Sequence, residues 1–291
     1  IDSISLSFGL APSLNAAGRM GEADPAVHLL LEQNPERAGE LAQYLHRQNQ
    51  LRRDTEAKIF SEAEAMVLEN PAAAGENVIT LAREGWHPGV IGIVASRLVE
   101  RFYRPAIVVA VEEGVGCGSA RSIPGFDITA ALGGCAGLLD RFGGHQQAAG
   151  LTIAPQRVGE LREQINRLAA CRLRSEDLVP CYHIEAELSG HQINLELASQ
   201  LSALEPFGTA NPAPVFCSRS WELRSWRLVG SGKDHLKFNL KKGDQSIKPI
   251  LFSGASLASK LCRYCKLDLV FNLQSGTFQD RPVLNVELKD L

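Results

Sequence analysis

Between Gly116 and Gly150 the chain sets one guanidinium between two hydroxyls and, some twenty residues later, places an imidazole after two glycines. The first group is Gly118-Ser119-Ala120-Arg121-Ser122. The second is Gly143-Gly144-His145, followed closely by Ala148-Ala149-Gly150. Glycine has no Cβ, so backbone N–H groups can come close to an anion. Arg121 can offer a bidentate fork to phosphate, and Ser119 and Ser122 can donate to further oxygens. His145 would stand beside the same anion as a donor or an acid. Either loop alone reads more readily as a turn that needs glycine, with one solvated arginine. Across a short helical run, the two together favour a phosphate site. A third segment, Asn15-Ala16-Ala17-Gly18-Arg19, adds an amide and another guanidinium in a predicted oxyanion-facing turn. It closes an irregular or partly extended lead-in over residues 1–20.

Alternating strands and helices must hold these groups. Asp24-Pro25 predicts a short helix with Asp24 as N-cap, running to about Gln33. Asn34-Pro35 opens a far longer one that ends at Asn70-Pro71. Polar on most sides, it reads as a spacer between lobes, with an ordinary packed helix as the alternative. From Glu76 the pattern becomes α/β: strands at 77–82, 106–111, 116–122 and 151–153, and helices at 88–102, 127–139 and 155–173. His87, between Trp86 and Pro88, suits a helix cap better than a ligand. After a polar link near 172–180, short strands at 182–188, 221–229, 236–241, 247–252, 267–273 and 283–288 predict a small β-barrel of the OB kind. A helix at about 195–204 precedes the turn-rich segment Pro206 to Pro212. The fold class is thus an α/β lobe reached by a long connecting helix, followed by a small β-barrel. The predicted domains are 1–20, 21–72, 73–175 and 176–291.

Charge is unevenly shared. Residues 1–75 hold six Lys/Arg against eleven Asp/Glu, whereas residues 214–291 hold thirteen against seven. A basic final segment on an acidic body points to a polyanion contact confined to one module. Its barrel face would stack bases on Trp221, Trp226 or Phe238. Arg224, Arg227, Lys233, Lys237, Lys241 and Lys242 would track the backbone. Each aromatic taken singly also suits a core.

Other chemistries find little support. The histidines are isolated, and Cys262-Arg263-Tyr264-Cys265 lacks the second ligand pair of a structural zinc site. Phosphate signatures of the GxxxxGK[ST] type and a strand-linked GxGxxG are missing. Seven scattered cysteines fit a reducing compartment such as the cytoplasm. No apolar run reaches membrane-spanning length. The chain begins with Ile1, which suggests a start partway through a longer protein.

The GSARS segment, the helix after it and GGHQQAAG resemble the DHH-associated domain of the DHH phosphoesterase superfamily. With NAAGR, the long helix, GWHPGVIGIVASRL and LEPFGTANPAPVF, the resemblance extends from about Leu10 to Leu291 and narrows to the bacterial RecJ family. That family implies a 5′→3′ exonuclease for single-stranded DNA, active in repair and recombination. It also implies Mn2+ or Mg2+ on a catalytic lobe preceding Ile1, where two metals drive an in-line displacement. By resemblance Arg19, Ser119 and Arg121 would bind the terminal phosphate region, and Asn15 would orient Arg19. Gly143, Gly144 and His145 would close on the scissile or product phosphate. The resemblance further implies a monomer, with single-strand-binding protein and a repair helicase as partners. Three other readings stay open: a DHH-superfamily enzyme for short oligonucleotides or cyclic dinucleotides, a non-catalytic binding scaffold, and a tRNA-synthetase appendage.

Overall fold

The computed structural model describes residues 5–70, 75–208 and 210–291. The first four residues of the predicted lead-in, Pro71 and Thr209 lie outside them. The chain divides into two compact units, Ile1–Pro180 and Cys181–Leu291.

The first unit opens with a π-helical turn, Ser5–Leu10, and α1, Ala11–Met20. The described part of the lead-in is therefore helical, not irregular or extended. Pro12 falls in the first turn, where its missing N–H costs nothing. Ala16 and Ala17 are fully buried, so packing outweighs the turn preferences of Asn15 and Gly18. Helix α2, Asp24–Leu31, begins one residue earlier than predicted, with Ala23 and not Asp24 at the cap position. Helix α3, Pro35–Leu68, is capped by Asn34, whose side chain accepts from the Glu36 and Arg37 N–H groups. Its second half buries Ile59, Ala63 and Val67 against the sheet described next.

That sheet has the order β1-β2-β3-β5-β4. The strands are β1, Ile79–Glu84; β2, Ala106–Glu112; β3, Val115–Arg121; β4, Arg141–His145; and β5, Ala148–Ile153. Strands β1 and β2 are parallel and the other neighbours antiparallel. Helix α4, Pro88–Phe102, makes the crossover from β1 to β2. It buries Val90, Ile91, Val94, Ala95 and Leu98, a stripe at helical spacing. His87 caps it, with Nδ1 accepting the Gly89 N–H at 3.1 Å. On the opposite face lie α5, Ile128–Gly133, and α6, Val158–Ala170. Leu132, Leu161 and Ile165 pack there on Ile107, Val109 and Leu151. The predicted helix 127–139 stops at Gly133-Gly134 and resumes only as a 3-10 turn, Ala136–Leu138. Asp127 does cap it, accepting from the Ala130 N–H at 2.8 Å. The largest departure concerns Gly143-Gly144-His145. These residues form an edge strand, not a loop, in a hairpin with β5.

The second unit closes a five-stranded barrel in the order β7-β11-β12-β10-β8 and back to β7. These strands are β7, Phe216–Val229; β8, His235–Lys242; β10, Ile250–Leu251; β11, Lys266–Phe278; and β12, Arg281–Asp290. Only the β10–β12 pairing is parallel among the five, as the OB connectivity requires. Two short strands flank the ring: β6, Ala186–Glu187, on β7 and β9, Gln245–Ile247, on β8. The predicted strand 247–252 is thus split in two around Lys248-Pro249, because proline cannot donate to the ladder. The barrel is filled by Trp221, Leu223, Leu236, Phe238, Leu240, Leu269 and Phe271, with Ala198 of α7, Leu195–Ser202, packed against them.

Candidate phosphate and nucleic-acid interface

In the first unit the site is assembled at the start of α4. A Cβ on Gly89 would lie 1.9 Å from the Arg19 carbonyl oxygen, so glycine alone lets the end of α1 reach this helix. One turn on, a Cβ on Gly92 would come within 3.0 Å of both Arg121 Nη2 and Ser119 Oγ. The two glycines therefore seat the Arg19 backbone and the Arg121 side chain side by side. Arg19 Nη1 donates to the Gly89 carbonyl at 3.4 Å. Arg121 Nη1 donates to Ser119 Oγ at 3.0 Å and to the Ala120 carbonyl at 2.8 Å. Neither guanidinium meets a carboxylate among the described residues. Burial, and then the neighbouring Arg19 charge, push the Arg121 pKa below the usual arginine range. A half-buried cation beside a like charge is unfavourable until an anion joins it.

Asn15, Arg19 and Arg52 line a cavity of about 200 Å³ with Ile93. Arg52 is itself held by Asn49 Oδ1 at 3.1 Å and Glu56 at 2.7 Å. Glu56 also accepts from Arg97 at 3.2 Å, tying α3 to α4.

Register brings the remaining residues to this face. Arg121 pairs with Ala148, and Ala148 with His145, so arginine and imidazole point to one side of the sheet, two strand spacings or roughly 10 Å apart. The hairpin turn is pinned by the Ser122 N–H on the Gln147 carbonyl and the Ile128 N–H on the Gln146 carbonyl, each at 3.0 Å. The His145 carbonyl accepts from Thr129 Oγ1 at 2.7 Å, leaving the exposed imidazole to solvent. Gly144 is demanded by the hairpin, since a Cβ there would sit 2.3 Å from the Ala148 carbonyl. Ser122 departs from the expectation: its hydroxyl donates to the Phe126 carbonyl at 2.7 Å and shapes the loop instead of facing an anion.

In the barrel unit, Trp221 is wholly buried, and its Nε1 donates to buried Ser218 Oγ at 2.9 Å. Phe238 is 2% exposed. Both are core residues and cannot be stacking platforms. Trp226 is half-buried and borders a groove of about 290 Å³ with Arg227, Lys237, Asn239 and Lys248. Arg227 pairs with Lys237 across β7 and β8, so two cations stand directly opposite. Arg224 is engaged by Glu222 at 3.0 Å and lies over the Tyr264 ring. Lys242 donates to the Arg219 carbonyl at 2.7 Å. Lys241 is exposed, and Lys233 lies with positive φ in the β7–β8 turn.

Gly89, Gly92, Arg52 and Lys248 were not among the predicted site residues. Gly89 and Gly92 carried a signal, two glycines three apart at a helix start. Arg52 carried none that separates it from the other charges of α3. Among the described residues no group of three His, Cys, Asp or Glu side chains could hold a metal ion. The described residues therefore do not fit Mn2+ or Mg2+, and no step is assigned to a metal on them.

Residues 75–170 match the DHHA1 domain and residues 184–290 the RecJ OB domain. The chain is 35% identical over 288 residues to the single-stranded-DNA-specific exonuclease RecJ of Bacillus subtilis, covering 98% of this chain and 36% of that protein. It is 34% identical to the RecJ of Escherichia coli, over 97% of this chain and 47% of that one. The crystal structure of RecJ in complex with Mn2+ from Thermus thermophilus superposes with a TM-score of 0.81 at 28% identity, covering 99% of this chain and 41% of that chain. The chain thus spans between about a third and a half of the length of these relatives. With a DHHA1 domain followed by a RecJ OB domain, the chain corresponds to the portion of RecJ exonucleases that carries these two domains.

Proposed function

We propose that this chain supplies the phosphate-binding and strand-binding portion of a 5′→3′ exonuclease acting on single-stranded DNA in repair and recombination. The observation that carries the reading is Arg121: half-buried, free of carboxylates, beside Arg19, and on the same sheet face as Ser119 and His145. Those residues would receive the terminal phosphate, with Asn15 orienting Arg19. Arg121 neutralises nonbridging oxygens and Ser119 donates a further hydrogen bond. His145 donates to the same phosphate from the neighbouring strand and holds its position during cleavage. In the barrel unit, Arg227, Lys237 and Lys241 track the backbone while a base stacks on Trp226. The metal ions named for the RecJ structures would be held by residues other than those described here. Single-strand-binding protein and a helicase remain the expected partners.

Titration of the 291-residue chain with 5′-phosphorylated and 5′-hydroxyl single strands tests the reading. The phosphorylated strand should bind more tightly, and Arg121→Ala should erase that difference. Equal affinity for both ends in the unaltered chain would overturn it. With added Mn2+, the purified chain should bind such strands without cutting them.

A further inference from the structure

Two strand glycines of the first unit are not explained by its own packing. A Cβ on Gly143 would meet nothing within 4 Å, and one on Gly150 only the Gly118 carbonyl at 4.0 Å. Neither has a left-handed φ. By contrast, a Cβ on Gly116, Gly118 or Gly144 would come within 2.7 Å or less of its neighbours. Glycine inside a strand weakens it, and where the fold does not require one, it marks close approach by something else.

Gly143 and Gly150 are paired with each other and, through Gly150, with Ser119. The flanking rows on the same face are Arg121–Ala148–His145 on one side and Cys117–Thr152–Arg141 on the other. The bare patch thus lies between the phosphate-binding row and Arg141. A depression of about 400 Å³ is lined by Cys117, Gly143, Gly150, Thr152 and Arg141. Arg141 is exposed and makes no ion pair among the described residues. Along the strand it stands four residues, or roughly 13 Å, from His145. That separation leaves room for a second phosphate beyond the one held by Arg121 and His145.

We propose that the nucleotides following the terminal phosphate lie across this glycine floor and that Arg141 binds a phosphate further along the same strand. The inference rests on the terminal-phosphate reading above. The exposed peptide planes of Gly143 and Gly150 let a sugar or base come to van der Waals contact, where a larger side chain would hold it off. Arg141 then forks a nonbridging oxygen at the far edge.

The test compares 5′-phosphorylated di- and octanucleotides on the whole chain carrying Arg141→Gln or Gly150→Val. Both variants should bind the octanucleotide about tenfold more weakly, a loss typical of one charge-assisted contact. Arg141→Gln should hold the dinucleotide as the unaltered chain does, whereas Gly150→Val, which fills the floor next to the terminal phosphate, should weaken it as well. Arg141→Gln should also flatten the dependence of log affinity on log salt by about 0.7, one phosphate's share for a single strand. Unchanged octanucleotide binding in both variants overturns the floor. Loss of 5′-phosphate preference in Arg121→Ala alongside that result would leave the terminal site standing and remove only the path. A footprint on the unsubstituted chain guards against misfolding. Saturating octanucleotide should shield Cys117 from maleimide, as read by peptide mass spectrometry, and an unshielded Cys117 would refute the path.

Discussion

At the scale of single residues, the chemistry turns on a cation that the fold leaves uncompensated. Arg121 is partly desolvated and faces Arg19, so an anion between them relieves repulsion as well as forming hydrogen bonds. Arg121→Met should therefore leave the melting temperature without ligand unchanged or higher. It should abolish the rise that a phosphorylated oligonucleotide gives the unaltered chain, worth about 2.7 kcal/mol at a hundredfold excess over Kd. Thermal melts with and without oligonucleotide check both halves. The two tryptophans of β7 should behave oppositely. Trp221→Ala should cost about 3–5 kcal/mol of barrel stability by chemical denaturation. Trp226→Ala should cost about 1–3 kcal/mol of single-strand affinity by titration, with a smaller effect on folding. The sequence distinguished poorly between these two. Five residues apart, the two would alternate to opposite faces, but a β-bulge between Leu223 and Ser225 sets Trp226 opposite Phe238 on the core side, so only its half-burial at the groove separates it from Trp221. Ser119 and Arg121 were legible because they stand two apart on one uninterrupted strand.

At the scale of elements, helix α4 is the part that brings the site together. Its first turn holds the α1 backbone at Gly89 and the Arg121 side chain at Gly92. Gly89→Ala should force α1 outward and cost about 1–3 kcal/mol by overpacking, with loss of the Arg19 contribution to phosphate binding. Denaturation and the 5′-phosphate preference measure the two effects separately. Helices with caps, such as α3 behind Asn34 and α4 behind His87, were readable because cap and apolar stripe agree. The helix α1 and the strand β4 were not. In α1 the burial of Ala16 and Ala17 decides a segment whose local preferences favour a turn. In β4 the two glycines look like a loop, and only pairing with Ala149 and Gly150 makes them a strand.

At the scale of the whole molecule, each unit has a hydrophobic core of its own. Separate cores should melt separately, so scanning calorimetry is expected to resolve two transitions, with Trp221→Ala lowering only one of them. The alternation of strands and helices and the run of short basic strands made this division readable, because each architecture imposes its own hydrophobic period over many residues. Strand β4 has a consequence of another kind. It is exposed along its whole length and has a neighbouring strand on one side only, β5. Its amides should exchange with deuterium early, at a small fraction of the free energy that protects β2 in the interior. A ligand resting on the strand would slow that exchange locally. The isotope uptake of residues 141–145 would then report occupancy by a change in motion, with no need for a change in shape.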